Sequence, residues 1–483
     1  MKKQFFYAAL AIGMMSSCSS NDLPGNQQPE NPNLAEDKVA IELGIASPNL
    51  NIEATTKGIG AVGGTTSEGN KWNKEKLGVW MYKVTYDESG IATESEALND
   101  DNTTYVLEGY TFEAPADGST DAKQQIRIVK DENASPTLYQ AVYYPSKYAH
   151  SFYGYHLDDA RVEPSNINRE TQSITDITID GTQDIMTAGT KEVNLSIYGT
   201  INGIGDGSGE TPWETAAKQS FSAWSARRGI QPILNFEHKL ARLRFFVKAG
   251  EKSAASKVWN SSGNTWDEVI KVPVTSGESE NQSQAVQITS VKLLGVADKI
   301  NLELKKDGVT GKMKPAIQSG STTADFTLQE RTSLGTALRG LTPIAPEYFD
   351  GEDEASKAEA TGYKEKTRVG ESIMFLPVTA DGGNGTDAVL NLEIEVQQAV
   401  LDTYEEPSPE DFQNETYILK KGKLTTQLLA SKITGTSPQS SFVPGYNYDV
   451  TIKVYSFQRI EITAELTPWA DGGSIETAPG DEF

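Results

Sequence analysis

One residue in this chain is set up for covalent chemistry by its neighbours. Cys18 follows Ser16-Ser17 at the end of the apolar run Phe5 to Met15, which is preceded by Met1-Lys2-Lys3. A basic start, a short apolar core and small residues before a cut make a secretory signal. The run is too short to cross a bilayer as a helix. A cysteine at that point is the lipobox arrangement: residues 1–17 are removed and the new N-terminal Cys18 is diacylated, anchoring the chain to a membrane. Met15, where Leu is usual, is a departure from that pattern. The competing reading is an ordinary signal peptide whose cysteine is incidental. Cys18 is the only cysteine, so a disulfide framework and a multi-cysteine metal site are both excluded.

A second candidate is hydrolytic and acts on the chain itself. Lys57-Gly58 lies in a polar loop that runs into Gly-rich sequence up to Gly69, and an exposed basic residue in such a loop is a good protease target. The pair Arg227-Arg228 is another basic site, but a cut there would divide the protein in half.

Metal and ligand chemistry have thinner support. There are three histidines. His150 and His156 share a strand face by parity, but no third ligand is nearby in sequence. His238 reads as a hydrogen-bonded core residue. Acidic stretches at Asp350, Glu352, Asp353 and Glu354, and at Asp381 to Asp387, lack the spacing and terminal Glu of a calcium loop and read as solvated loops. Tyr148, Phe152, Tyr153 and Tyr155 form an aromatic cluster that could stack on sugar. Aromatic residues are also simply favoured in strands. No Gly-x-Ser-x-Gly, Walker or His-Glu-x-x-His pattern occurs. A pair of glycosidase carboxylates would leave no signature in a chain so rich in acids. No metal and no cofactor is expected.

The elements that must position these residues are strands. The chain has 483 residues, so two or more domains are expected. Its formal charge of -24 argues against nucleic acid or an anionic membrane surface as partner. Thr, Ser, Asn and Gly are abundant and long amphipathic helical patterns are scarce, which reads as all-β. Residues 18–37 are a polar, flexible tether. In Lys38 to Ala46, Val39, Ile41, Leu43 and Ile45 alternate with smaller or polar residues, giving a strand with one buried face. Burying four such side chains is worth about 6–12 kcal/mol. Further strands are expected at Leu77–Tyr86, Val286–Gly295, Ile300–Leu304, Glu371–Pro377 and Ala388–Val396. The pair Tyr446–Val454 and Ile460–Trp469 reads as an antiparallel hairpin. Residues 202–230 read as the connection between domains 38–228 and 229–483.

The most informative strand is Ile233 to Val247. Leu234, Phe236, His238 and Leu240 face one way, and then the phase flips so that Leu243, Phe245 and Val247 carry the apolar face. A β-bulge at Leu240-Ala241 is the expected cause. The pattern Phe236-x-His238-x-Leu240-Ala241-x-Leu243-x-Phe245 resembles the central strand of the fimbrillin family, the lipoproteins that build type V pili. Tyr143-Tyr144-Pro145 followed by Phe152-Tyr153-x-Tyr155 is similar to that family's N-terminal domain. Gln183-Asp184-Ile185-Met186-x-Ala188 resembles its Asp-Leu-Met motif, with Ile for Leu. The first strand and the closing hairpin with Trp469 are similar too, so the likeness runs from Val39 to Trp469.

The resemblance implies two tandem antiparallel β-sandwich (transthyretin-like) domains and a role in adhesion or pilus building, at the outer membrane and then in the fimbrium. It implies that a protease cuts after a basic residue behind the first strand, here Lys57, before Gly58. Loss of that strand opens a groove, which a neighbouring subunit's strand fills. Better-known members carry Arg at the cut, so Lys57 implies a trypsin-like or Lys-accepting protease, or else an uncut surface loop. The tail Ala470 to Phe483 has Ile475 as its one large aliphatic residue and four acids, so it is a poor donor strand. A tip or accessory subunit is expected over a shaft subunit. Other pilus subunits and a surface ligand are the expected partners. The alternative from another class is a surface lipoprotein that binds glycan and never polymerises.

Overall fold

The computed structural model describes residues 38–45, 72–145, 149–190, 221–349, 365–434 and 440–468, each of the longer stretches with short breaks. Cys18, Lys57, Gly58, Tyr148, Arg228, the tether and the tail after Pro468 lie outside the described residues.

The described chain is almost entirely β, as its composition requires. The first eleven strands are β1 (Leu43–Ile45), β2 (Lys76–Tyr86), β3 (Ala92–Glu96), β4 (Thr111–Glu113), β5 (Gln125–Asp131), β6 (Leu138–Gln140), β7 (Ala149–His156), β8 (Ile167–Asn168), β9 (Ser173–Thr178), β10 (Met186–Thr190) and β11 (Ile233–His238). One helical turn, Ala223–Ala226, precedes β11 and is closed by a Ser222–Ser225 capping box. Next come β12 (Ala241–Ala249), β13 (Lys257–Asn260), β14 (Thr265–Glu268), β15 (Lys271–Val272), β16 (Gln282–Ser283), β17 (Gln287–Ala297), β18 (Lys299–Lys306), β19 (Met313–Ser319) and β20 (Thr323–Thr327). The chain ends through β21 (Gln329–Arg331), β22 (Leu338–Gly340), β23 (Glu347–Tyr348), β24 (Thr367–Phe375), β25 (Val389–Tyr404), β26 (Glu415–Leu429), β27 (Tyr446–Ser456) and β28 (Arg459–Pro468).

Nine strands form the first sheet, in the order β1-β11-β10-β7-β2-β4-β5-β6 with β3 on β2. Because β1 also pairs with β5, the sheet closes on itself. In the second half, two four-stranded sheets, β24-β12-β27-β28 and β20-β17-β25-β26, contribute Leu243, Phe245, Ile288, Val291, Leu392, Ile394, Val450 and Ile452 to one large core. The expected closing hairpin is present as β27 and β28, paired from Tyr446↔Pro468 to Ser456↔Arg459.

The phase flip at Leu240-Ala241 is not a bulge. It is the break between β11 and β12, which belong to different sheets: β11 pairs with β1 and β10, whereas β12 pairs with β24 and β27. Lys239 and Leu240 make the crossing, fixed by Lys239 N–H to Ile185 O (2.8 Å) and Gly445 N–H to Leu240 O (2.9 Å). The apolar parity changes because the core being faced changes. Phe236 faces the core enclosed by the first sheet, and Leu243 faces the larger one.

Pairing crosses residues 228/229 in two places. β11 is a strand of the first sheet, and β9 pairs with β18 from Lys299↔Thr178 to Glu303↔Ser173. The outward residues of the first sheet, Trp80, Tyr82 and Tyr153, are buried in the large core together with second-half residues.

Candidate functional site: the first strand and its groove

The N-terminal strand sits between two neighbours. Leu43, Gly44 and Ile45 are buried, and Glu42 is exposed. Gly44↔Ile233 and Ile45↔Leu234 pair in parallel with β11, while Leu43↔Ile126 and Gly44↔Gln125 pair antiparallel with β5. Just before it, Ile41 N–H donates to Val142 O (2.7 Å) and Tyr144 N–H to Val39 O (3.0 Å). Gly44 N–H donates to Pro232 O at 2.8 Å.

Ile41, Leu43 and Ile45 are 6%, 2% and 1% exposed, and Val39 packs at the margin of the same cluster. They lie among Trp72, Leu77, Val79, Met81, Phe112, Ile126, Ile128, Phe152, Leu234 and Phe236. Three fully buried side chains give about 4.5–9 kcal/mol of apolar burial, an upper figure because unfolded chains also bury surface. The alternation read from sequence therefore marks a strand that fills the gap between β5 and β11. Tyr144, buried against it, has its hydroxyl pKa raised by burial and by the charge of Glu42.

A polar lock stands at the crossing between the sheets. His238, at the end of β11, places Nδ1 3.0 Å from Asp184 Oδ1, with both side chains 6% exposed. The expected hydrogen-bonded core histidine is thus found, and its partner is the acid of the Gln183-Asp184-Ile185-Met186 motif. Arg242, near the start of β12, bonds Asn447 through Nε. Burial, followed by the nearby Arg244 and Arg368, lowers its pKa to about 9, with Asp184 and Asp449 acting in the other direction. Arg244 grips Asp449 with two bonds, Nε–Oδ1 at 2.6 Å and Nη2–Oδ2 at 2.8 Å. Buried charges survive only when paired in this way.

Two members of the aromatic cluster, Phe152 and Tyr153, are core residues. Phe152 and Tyr153 are 0% and 5% exposed on opposite faces of β7, in two different cores. Tyr153 OH donates to Glu94 Oε2 (2.7 Å), and Ser151 Oγ donates to Oε1 of the same carboxylate. Tyr155 lies over Gly78 and against Trp80, with centroids 4.7 Å apart. Packing on both sides of β7 takes up the rings of Phe152 and Tyr153, and Tyr155 is half-buried. His150 and His156 do share a side of β7 but are buried, His156 beside Trp72 and with Nδ1 3.2 Å from Lys76 O. Among the described residues no group of three or more His, Cys, Asp or Glu is placed to hold a metal. Asp387, from the acidic loop weighed for calcium, instead accepts from Ser431 N–H (3.0 Å).

No family model matches the chain, and no curated protein matches it. Among solved structures it is similar to a candidate cell adhesion protein from Bacteroides uniformis at 11% identity, covering 90% of this chain and 98% of that one, with a TM-score of 0.36. A fimbrilin from Porphyromonas gingivalis overlaps at 11% identity over 91% and 100% of the two chains, TM-score 0.34. The tip fimbrial protein Mfa3 of the same organism overlaps at 8% identity over 89% and 99%, TM-score 0.33. The TM-score and the identity are low in all three, and the functional reading rests on the chain's own residues.

Proposed function

We propose that this chain is a fimbrillin-type pilus subunit, of tip or accessory kind, that serves cell adhesion. It is exported as a lipoprotein acylated at Cys18 and held at the outer membrane until a protease cuts between Lys57 and Gly58. The cut frees Val39, Ile41, Leu43 and Ile45 from the chain behind them. A strand from a neighbouring subunit then takes their place between β5 and β11, and the subunit joins the fimbrium. Its partners are other pilus subunits and a surface ligand, and its work is mechanical rather than catalytic.

The observation that carries this reading is the isolation of β1 in sequence and its centrality in the sheet. The strand closes the first sheet by pairing on both edges. It is joined to β2 only through residues 46–75, the stretch that holds Lys57. A cut there would leave the segment attached by ladder bonds and side-chain burial alone, the two terms that an incoming strand of the same alternation can replace.

Limited digestion of the folded protein with a trypsin-like protease, followed by intact mass and N-terminal sequencing, tests it. A stable core beginning at Gly58 that forms oligomers on mixing is expected. Resistance at Lys57, or a cut that unfolds the protein without assembly, would overturn the reading.

A further inference from the structure

The exchange groove and the large core are joined by one continuous piece of chain. β11, the wall of the groove that runs parallel to β1, passes through Lys239-Leu240 directly into β12. β12 then lies parallel to β27 from Arg242↔Asn447 to Ala249↔Val454, with β24 antiparallel on its other edge. A strand that pulls on β11 therefore pulls on the N-terminal end of β12.

The ladder between β12 and β27 is tied on both of its faces. On the core side Leu243 lies opposite Tyr448, Phe245 opposite Val450 and Val247 opposite Ile452, none of them more than 1% exposed. On the polar side each arginine bonds the residue directly across from it, Arg242 to Asn447 and Arg244, through two bonds, to Asp449. A slip of one residue would turn every core side chain to the polar face and part both arginine pairs.

The points where the chain enters and leaves this sheet decide how it resists tension. β11 leads in at Ala241, and β27 ends at Ser456, at the opposite end of the neighbouring parallel strand. A pull between those two points acts along the strands and stretches the rungs together. Pro468, by contrast, lies opposite Tyr446, at the same end of the sheet as Ala241. A pull between Ala241 and Pro468 acts across the strands and opens β28 from β27 one rung at a time. Beyond β28, Thr434 adds backbone bonds to Ala464 O (3.1 Å) and from Leu466 N–H (2.8 Å), and these too would break in turn.

We propose that β11, β12 and β27 form a tension clamp: a strand seated in the groove pulls on β11, the pull enters β12, and β27 takes it in shear, out to the end of the molecule marked by Ser456. Resistance to force is set by the unfolding barrier, and rungs that must break together raise that barrier more than rungs that break singly. The tail at Pro468 is the weak direction. The clamp rests on the strand exchange proposed above for where tension enters, and it deepens that reading. A chain that is strong from its groove to Ser456 and weak at its tail suits the end of a fibre, whereas a link would hand tension on through its own donated strand.

Constant-force spectroscopy on the uncut full chain, in a Cys18→Ser background, tests the clamp. One variant carries its handles at Glu237→Cys and Ser456→Cys, both exposed positions, and a second at Glu237→Cys and Phe483→Cys. At the same force the first should stay folded longer than the second. Arg244→Gln should shorten the first lifetime about tenfold or more, through the loss of charge-assisted bonds, and leave the second unchanged. Arg244→Lys keeps the charge but not the two-bond fork; it should shorten the first lifetime by less, and serves if Arg244→Gln does not fold. Equal lifetimes in the two geometries, or equal shortening of both by the Arg244 variants, would overturn the proposal. The handles lie outside β1 and no cleavage is involved, so a failed clamp and a failed strand exchange are read separately.

Discussion

Leu43→Ala is the perturbation that reads β1 most cleanly before any cut is made. Leu43 is 2% exposed, opposite Ile126 of β5, in the core enclosed by the first sheet. Truncating a buried Leu costs about 2–5 kcal/mol, the upper end applying where neighbours cannot collapse. Here the walls are strands of a closed sheet, which argues for the upper half. Because β1 is the piece that closes the ring, the loss should fall first on its two neighbours. Amide hydrogen exchange is the assay: β5 and β11 should lose protection, while the β27–β28 hairpin, in a different sheet, should keep it. Glu42→Ala, just before the strand and exposed, should change stability by less than about 0.5 kcal/mol. If β5 and β11 exchange unchanged in Leu43→Ala, β1 is not what holds the ring shut.

Three further outcomes follow from the same geometry. Asp184→Ala leaves His238 in a buried site without its carboxylate and removes a charge near Arg242; a loss of about 3–5 kcal/mol is expected by denaturant titration. Gly78→Ala places a methyl 1.8 Å from Cζ of the Tyr155 ring, so the ring must leave Trp80, with a cost of about 1–3 kcal/mol visible as a lower melting temperature. Tyr144, Tyr153 and Tyr448 have raised hydroxyl pKa values, through burial first in each case. The folded state then holds protons that the unfolded state releases above the usual tyrosine value, so stability is full below about pH 10 and falls as pH rises beyond it. Ultraviolet titration should show these phenols ionising only as the protein unfolds.

Much of the fold was readable because single-face strands declare themselves by alternation. Whereas β2 and β24 are legible as apolar runs because they are buried with little alternation, the first strand, β17, β18 and the closing hairpin carry that mark. β26 does not: Leu419-Lys420-Lys421-Gly422-Lys423-Leu424 breaks the period, since Lys420, Lys421 and Lys423 are exposed and the strand is an edge whose order comes from its partner β25. The flip at Leu240-Ala241 was visible but misassigned, because a bulge and a change of sheet invert parity identically and only pairing distinguishes them. The Asp184–His238 bond joins two motifs far apart in sequence and could not be seen in either one alone. Phe152 and Tyr153 of the aromatic run are core residues for a reason that alternation hides: β7 is buried on both faces, so these rings serve two cores at once.

The central claim is that β1 must leave for assembly to occur, and a reversible lock on β1 tests it most directly. Glu42 and Gln231 side chains touch across the start of β1 and β11. In a Cys18→Ser background, Glu42→Cys with Gln231→Cys should form a disulfide that fastens the strand in place. Both the oxidised and the reduced protein should be cut at Lys57, but only the reduced form should assemble into oligomers. Equal assembly by the oxidised protein would show that β1 stays in its groove, and would contradict the account.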